Sequence, residues 1–210
     1  MAHSHSTEYS HDDRIALLEI AREAIATGCD GTRPAHDAPH VTAALERAAL
    51  AAPRNCFVTL KQNGGLRGCI GSLAPRRALV IDVAENAFNA AFQDPRFRPM
   101  SAPELATIDI HIAVLSPQTP IDFTNESGLL NALRPYVDGL TIEDGPNRAT
   151  FLPKVWEQLP EPGQFLAELK AKAGMPANHW SAGFHAWRYH SEDFSEEDEP
   201  GRGSATVPAD

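Results

Sequence analysis

The residues best suited to chemistry lie in one stretch, NGGLRGCIGSL, residues 63 to 73. Here Arg67 and Cys69 sit two positions apart among four glycines. A cationic neighbour favours the thiolate, the nucleophilic and ligating form of cysteine. Glycines between apolar runs also suit a phosphate-cradling loop, but the spacing excludes one. Gly71 is followed by Ser72 and Leu73 rather than by Lys and a hydroxyl residue, and no Gly-x-Gly-x-x-Gly triple occurs. For Cys69 the alternative to reactivity is packing, because a free cysteine behaves as a small hydrophobe.

Three further side chains and two glycines are candidates for the same surface. Asp94 and Arg96, in DPRF, either contact a ligand or lock their loop by an internal ion pair. His111 projects from the polar side of IDIHIAVLS, as a general base or as a hydrogen-bonded residue. Gly68 and Gly71 inside a strand mark a bulge or a close approach by another group. Tail histidines His3, His5 and His11 read as solvated. His179, His185 and His190 lack metal-binding spacing, so no metal site is assigned, and the cofactor is left unknown. Cys29, Cys56 and Cys69 are too few and too irregular for a disulfide framework.

The elements that must position these residues are strands and helices in mixed order. FVTLK (57 to 61) and LRGCIGSL read as strands across an Asn63-Gly64-Gly65 turn. A three-residue loop puts Val58, Leu60, Leu66 and Ile70 on an apolar face, and Thr59, Lys61, Arg67 and Cys69 on the other. Arg67 and Cys69 are then about 7 Å apart, two strand rises. A two-residue loop mixes the two sets, so the three-residue register is expected. Helices are expected from Asp12 or Asp13 to a C′ glycine at Gly28, over 41 to 51, and from Pro75 or Arg76 to Phe92. Ser101 and Glu104 form a capping box. The strand over 108 to 116 turns Ile108, Ile110, Ile112 and Val114 one way, and Asp109, His111 and Ala113 the other. A second hairpin spans 139 to 152, helices cover 153 to 159 and 164 to 173, and a last strand covers 184 to 190. With no βαβ rhythm, the fold class is α+β with antiparallel sheet.

Composition bounds the function. A net charge of −10 argues against nucleic acid, and no apolar run reaches the roughly 20 residues that span a bilayer. The opening MAHSHSTEYSHDD has no signal-peptide pattern, so a cytoplasmic protein without membrane partners is expected. Residues 1 to 11 and the acidic 191 to 210 read as disordered tails flanking one domain over 12 to 190.

LRGCIG at 66 to 71 resembles the motif that defines the AMMECR family, protein A of the bacterial AmmeMemoRadiSam system. FVTL, the DV-x-x-NA-x-x-AAF-x-DPRF run from 82 to 97, VLSP, DGL and TFLPKVWEQLP with FL-x-x-L-x-x-KAG extend the similarity from about residue 12 to 190. The resemblance implies two unequal lobes, the larger built from both chain ends around an antiparallel sheet and the smaller inserted mid-chain. It implies that the motif strand faces the cleft between them. It brings no established activity, and it associates the chain with Memo-type and radical SAM proteins. Arg98, Lys154 and His111 depart from the family pattern; an imidazole in place of an acidic residue weakens any shared mechanism. Two functions are carried forward. One is an accessory or small-ligand-binding component, with Arg67 suited to a small anionic ligand. The other is an enzyme with Cys69 as nucleophile or ligand and His111 as base.

Overall fold

The computed structural model describes residues 8–72 and 74–199. In chain order the elements are helices α1 (His11–Cys29), α2 (Pro39–Leu45) and α3 (Ala48–Ala51), strands β1 (Asn55–Gln62) and β2 (Gly65–Gly71), and helix α4 (Leu79–Phe92). Strands β3 (Ile108–Leu115) and β4 (Thr119–Pro120), helix α5 (Glu126–Ala132), strands β5 (Gly139–Asp144) and β6 (Asn147–Phe151), helix α6 (Pro162–Lys172), and strands β7 (His185–Tyr189) and β8 (Ser191–Ser195) follow. Short 3-10 turns span Ala102–Thr107 and Pro153–Glu157. The fold is α+β, with two four-stranded sheets ordered β2-β1-β3-β8 and β4-β7-β5-β6.

The chain forms two compact units. The first runs to Val114 and resumes at Glu192; the second is Leu115–Ser191. In the first, Cys56, Val58 and Leu60 of β1 and Ile108, Ile110, Ile112 and Val114 of β3 share one apolar core with α1 and α4. The period-2 pattern of these strands therefore turns Thr59, Lys61, Asp109 and His111 to the opposite face. In the second unit, Leu140, Ile142, Ala149 and Ala186 of the sheet meet Trp156, Phe165, Leu166 and Leu169, with Trp156 stacked on Phe165 at 3.7 Å.

Several boundaries differ from the sequence reading for local physical reasons. Ser10, not Asp12 or Asp13, caps α1; its hydroxyl accepts from the Asp13 amide while the Asp13 carboxylate accepts from the Ser10 amide. Gly28 lies within α1 rather than after it, and a Cβ there would meet the Phe92 ring at 2.2 Å, so it is a packing glycine. Helix α4 begins at Leu79, because Ala78 still bridges Pro53 and the Leu79 amide donates to the Ala52 carbonyl.

The tails also correct the expectation where they are described. Ser191–Ser195 forms β8 with Phe194 buried, and Tyr9 is buried before α1 begins. The acids of this segment meet cations on α1. Glu196 takes a bidentate bond from Arg22 at 2.5 Å, and Glu192 and Glu199 accept from Arg14 at 3.0 and 2.7 Å. His11 is exposed, as expected of a solvated histidine, and also pairs with Glu199. Residues 1–7 and 200–210, with His3 and His5, lie outside the described residues.

Candidate functional site

The LRGCIG strand is built around a bulge. Asn63 and Gly64 take positive φ, 51° and 76°, the signature of a two-residue hairpin turn. Next to it Gln62 pairs with Gly65 and Lys61 with Leu66. Further on Leu60 pairs with Gly68, Thr59 with Cys69, Val58 with Ile70 and Phe57 with Gly71. Arg67 is the extra residue that shifts one register into the other. The bulge restores the expected pairing from Leu60 onward and overturns it near the turn. Leu66 stands with Lys61 instead of on the core face, and is 48% exposed.

Both motif glycines have packing reasons. A Cβ on Gly68 would come within 2.1 Å of the Ala90 carbonyl oxygen, so its bareness lets β2 lie against the backbone of α4. A Cβ on Gly71 would enter the Phe57 ring at 2.3 Å. No contact of either glycine calls for a ligand.

Strand β2 is the edge of its sheet, and the DPRF loop closes that edge at Cys69. The Cys69 amide donates to Asp94 Oδ2 at 2.9 Å, and its carbonyl accepts from Arg96 Nη2 at 3.3 Å. Because both main-chain groups point outward, Cys69 and Thr59 form a non-hydrogen-bonded pair, which brings their side chains close. Thr59 Oγ1 donates to Cys69 Sγ at 3.3 Å. Asp94 is buried and accepts three further bonds, from the Arg96 amide at 3.1 Å, its Nε at 2.9 Å and its Nη2 at 2.7 Å. These bonds, from Arg96 above all, hold the Asp94 carboxyl far below the ordinary carboxylate range despite burial.

Arg67 is buried beside this clamp. Its Nε donates to Glu104 Oε1 at 2.9 Å and its Nη2 to the Arg98 carbonyl at 3.0 Å, while the buried Nη1 has no hydrogen-bond partner among the described residues. Glu104 also closes the capping box, accepting from the Ser101 amide and hydroxyl at 3.0 and 2.7 Å. Arg67 first, then Ser101, lower its pKa to about 2.

His111 is not brought to the thiol. Strand β1 lies between β3 and β2, a separation of two strand spacings or about 10 Å. The imidazole pairs instead with Asp109, two residues back on the same face. Cys56 belongs to a separate buried cluster. Asp82 Oδ2 accepts from its amide at 3.1 Å, from Ser72 Oγ at 2.6 Å and from Asn86 Nδ2 at 3.0 Å, and Arg77 pairs with Oδ1 at 3.1 Å. Burial, then Asp82, pushes the Cys56 thiol well above its usual pKa. Among the described residues no cluster of three or more His, Cys, Asp or Glu could hold a metal ion, and no helix is long and apolar enough to cross a membrane.

The structure thus joins Arg67, Cys69, Asp94 and Arg96 through the edge of β2, and leaves His111 apart. Sequence reasoning saw Glu104 only as a cap and Thr59 only as a polar-face residue. The Glu104 pairing has no local signal, since Arg67 is 37 residues away.

These features define a two-unit α+β protein whose glycine-marked edge strand is sealed by an Asp-x-Arg clamp. The AMMECR1 family model matches residues 18–194, and the chain belongs to that family. A protein of Methanothermobacter thermautotrophicus is 34% identical over 195 residues, covering 90% of this chain and 96% of its own. One from Thermotoga maritima is 36% identical over 140 residues, covering 66% and 75%. The crystal structure of uncharacterized protein PH0010 from Pyrococcus horikoshii superposes with a TM-score of 0.80 at 27% identity, covering 93% of this chain and 97% of that one.

Proposed function

We propose that this chain is an accessory or small-ligand-binding component that acts with Memo-type and radical SAM proteins and presents the surface around Cys69. The observation that carries this reading is how the candidate charges are spent. Asp94 accepts four bonds from Cys69 and Arg96, Arg67 is held by Glu104 and the Arg98 carbonyl, and the thiol's hydrogen-bond partner is a hydroxyl rather than a base. Groups committed in this way shape a surface. An adjacent general base is one way a thiol nucleophile is activated, and His111, the candidate base, is not beside Cys69. Arg67 Nη1 is a buried donor without an acceptor among the described residues, and a small anionic group that reached it would satisfy it.

The test uses purified Memo-type and radical SAM proteins encoded in the same genome. Titration calorimetry should show binding to at least one, and Cys69→Ser should bind as the parent does. No binding to either overturns the reading. The second reading, an enzyme with Cys69 as nucleophile, is favoured by the polar setting of the thiol, whose Sγ accepts from the Thr59 hydroxyl. It requires Cys69 to react with iodoacetamide near neutral pH faster than Cys29, as well as faster than buried Cys56. Modification only after unfolding sinks it.

A further inference from the structure

From the arrangement at the tip of the β1–β2 hairpin, we infer that this tip and the adjoining 96–98 loop form a docking patch for an acidic protein segment carrying an apolar anchor residue. The inference rests on the binding-protein reading above and names the chemistry of the partner.

The bulge at Arg67 turns Leu66 out beside Lys61, where it is 48% exposed. A bulge commonly re-aims one side chain at a functional rim. The Arg67 guanidinium pins this one by bonding Glu104 and the Arg98 carbonyl, so the hairpin tip and the loop are joined through its fork.

The charges around Leu66 are stratified. The Asp94 and Glu104 side chains are only 2% and 12% exposed, while their partners Arg96 and Arg98 are 54% and 78% exposed. The acids are sunk under the bases, and the Arg98 contact with Glu104 is loose at 3.7 Å. Lys61, the cross-strand neighbour of Leu66, forms no ion pair among the described residues. A chain of net charge −10 therefore presents here an exposed leucine paired with Lys61, and exposed Arg96 and Arg98 on the loop that bonds the next residues of its strand, Arg67 and Cys69. Charge complementarity selects an acidic segment and disfavours basic ones, and the leucine supplies the desolvated contact.

The test follows backbone amide chemical shifts of the full chain during titration with the acetylated, amidated pentapeptide Glu-Glu-Leu-Glu-Glu, and with Lys-Lys-Leu-Lys-Lys as the charge-reversed control. The acidic peptide should shift amides of Lys61, Leu66 and Arg96 to Arg98 at about millimolar affinity. The shifts should weaken about tenfold in Leu66→Ser and in Arg98→Glu, both exposed positions at which the fold should hold. Equal shifts from the basic peptide, unchanged affinity in both variants, or no shifts at several times the expected Kd each overturn the inference. Failure here is distinguishable from failure of the binding-protein reading. If the Memo-type or radical SAM protein binds the parent and both variants equally, the reading stands and the patch does not. If neither protein binds the parent, the reading falls whatever the peptide does.

Discussion

Replacing Gly68 by alanine should separate β2 from α4, and the structure sets the size of the effect. The added Cβ would lie 2.1 Å from the Ala90 carbonyl oxygen and 3.0 Å from its carbon. Both atoms belong to helix backbone, so no rotamer can relieve the clash. Restoring ordinary contact requires sheet and helix to part by about 1 Å, and overpacking of this kind costs about 1–3 kcal/mol. We expect the upper half of that range, a fall in Tm of roughly 4–12 °C for a chain of this size. Gly65→Ala is the control, because its nearest non-neighbour atom is 3.5 Å away and its cost should stay within about 0.5 kcal/mol. The choice of probe matters. All three tryptophans, Trp156, Trp180 and Trp187, lie in the second unit, whereas α1 and α4 lie in the first. Far-ultraviolet circular dichroism should therefore report the loss more strongly than tryptophan fluorescence. If Gly68→Ala and Gly65→Ala unfold together, the close-approach account of the motif glycine is wrong.

Two further outcomes follow from the same geometry. The Glu104 carboxyl is depressed from 4.5 to about 2 by Arg67 and Ser101, so its stabilisation is complete above about pH 4.5 and is lost as pH falls toward 2. Denaturant midpoints measured from pH 6 to 2.5 should fall less steeply in Glu104→Gln than in the parent, and parallel profiles would contradict the pairing. In the second unit Lys170 is fully buried, its Nζ on Glu126 Oε2 at 2.8 Å and on the Ala177 carbonyl at 3.2 Å, beside the Trp180 and Phe184 rings. Lys170→Ala should cost about 3 kcal/mol and Lys170→Met, which keeps the volume, clearly less; urea unfolding followed by tryptophan fluorescence decides between them.

Much of this architecture is legible in local pattern. The alternating Ile108 to Val114 run and the Ser101–Glu104 box each declare themselves within a few residues and lie where the sequence reading puts them. Asn63-Gly64-Gly65 marks the place of the turn but not its length, since Gly65 already pairs with Gln62. The bulge at Arg67 is not legible, because alternation yields only two consistent registers. A two-residue turn with one extra residue keeps the turn of the two-residue register and, from Leu60 onward, the core face of the three-residue one. Strand β8 was hidden for a related reason. Composition counts Glu192, Glu196 and Glu199 as uncompensated charge, whereas Arg14 and Arg22, more than 170 residues earlier, neutralise them. At the site, residue types were legible but partnerships were not. Cys69 and Asp94 are linked through a backbone amide, a contact that no side-chain spacing announces.

The clamp at Cys69 has a consequence for the solution behaviour of the whole molecule. An edge strand offers unpaired amides and carbonyls to any other extended chain, and so invites edge-to-edge sheet growth. Asp94 and Arg96 occupy one such amide and carbonyl with their own acceptor and donor, a single rung of a strand forged from side chains. A second copy cannot pair with β2 at Cys69 without first breaking the Asp94–Arg96 clamp, whose carboxylate is buried. The pair therefore keeps the glycine-weakened edge of this sheet from serving as a template for aggregation.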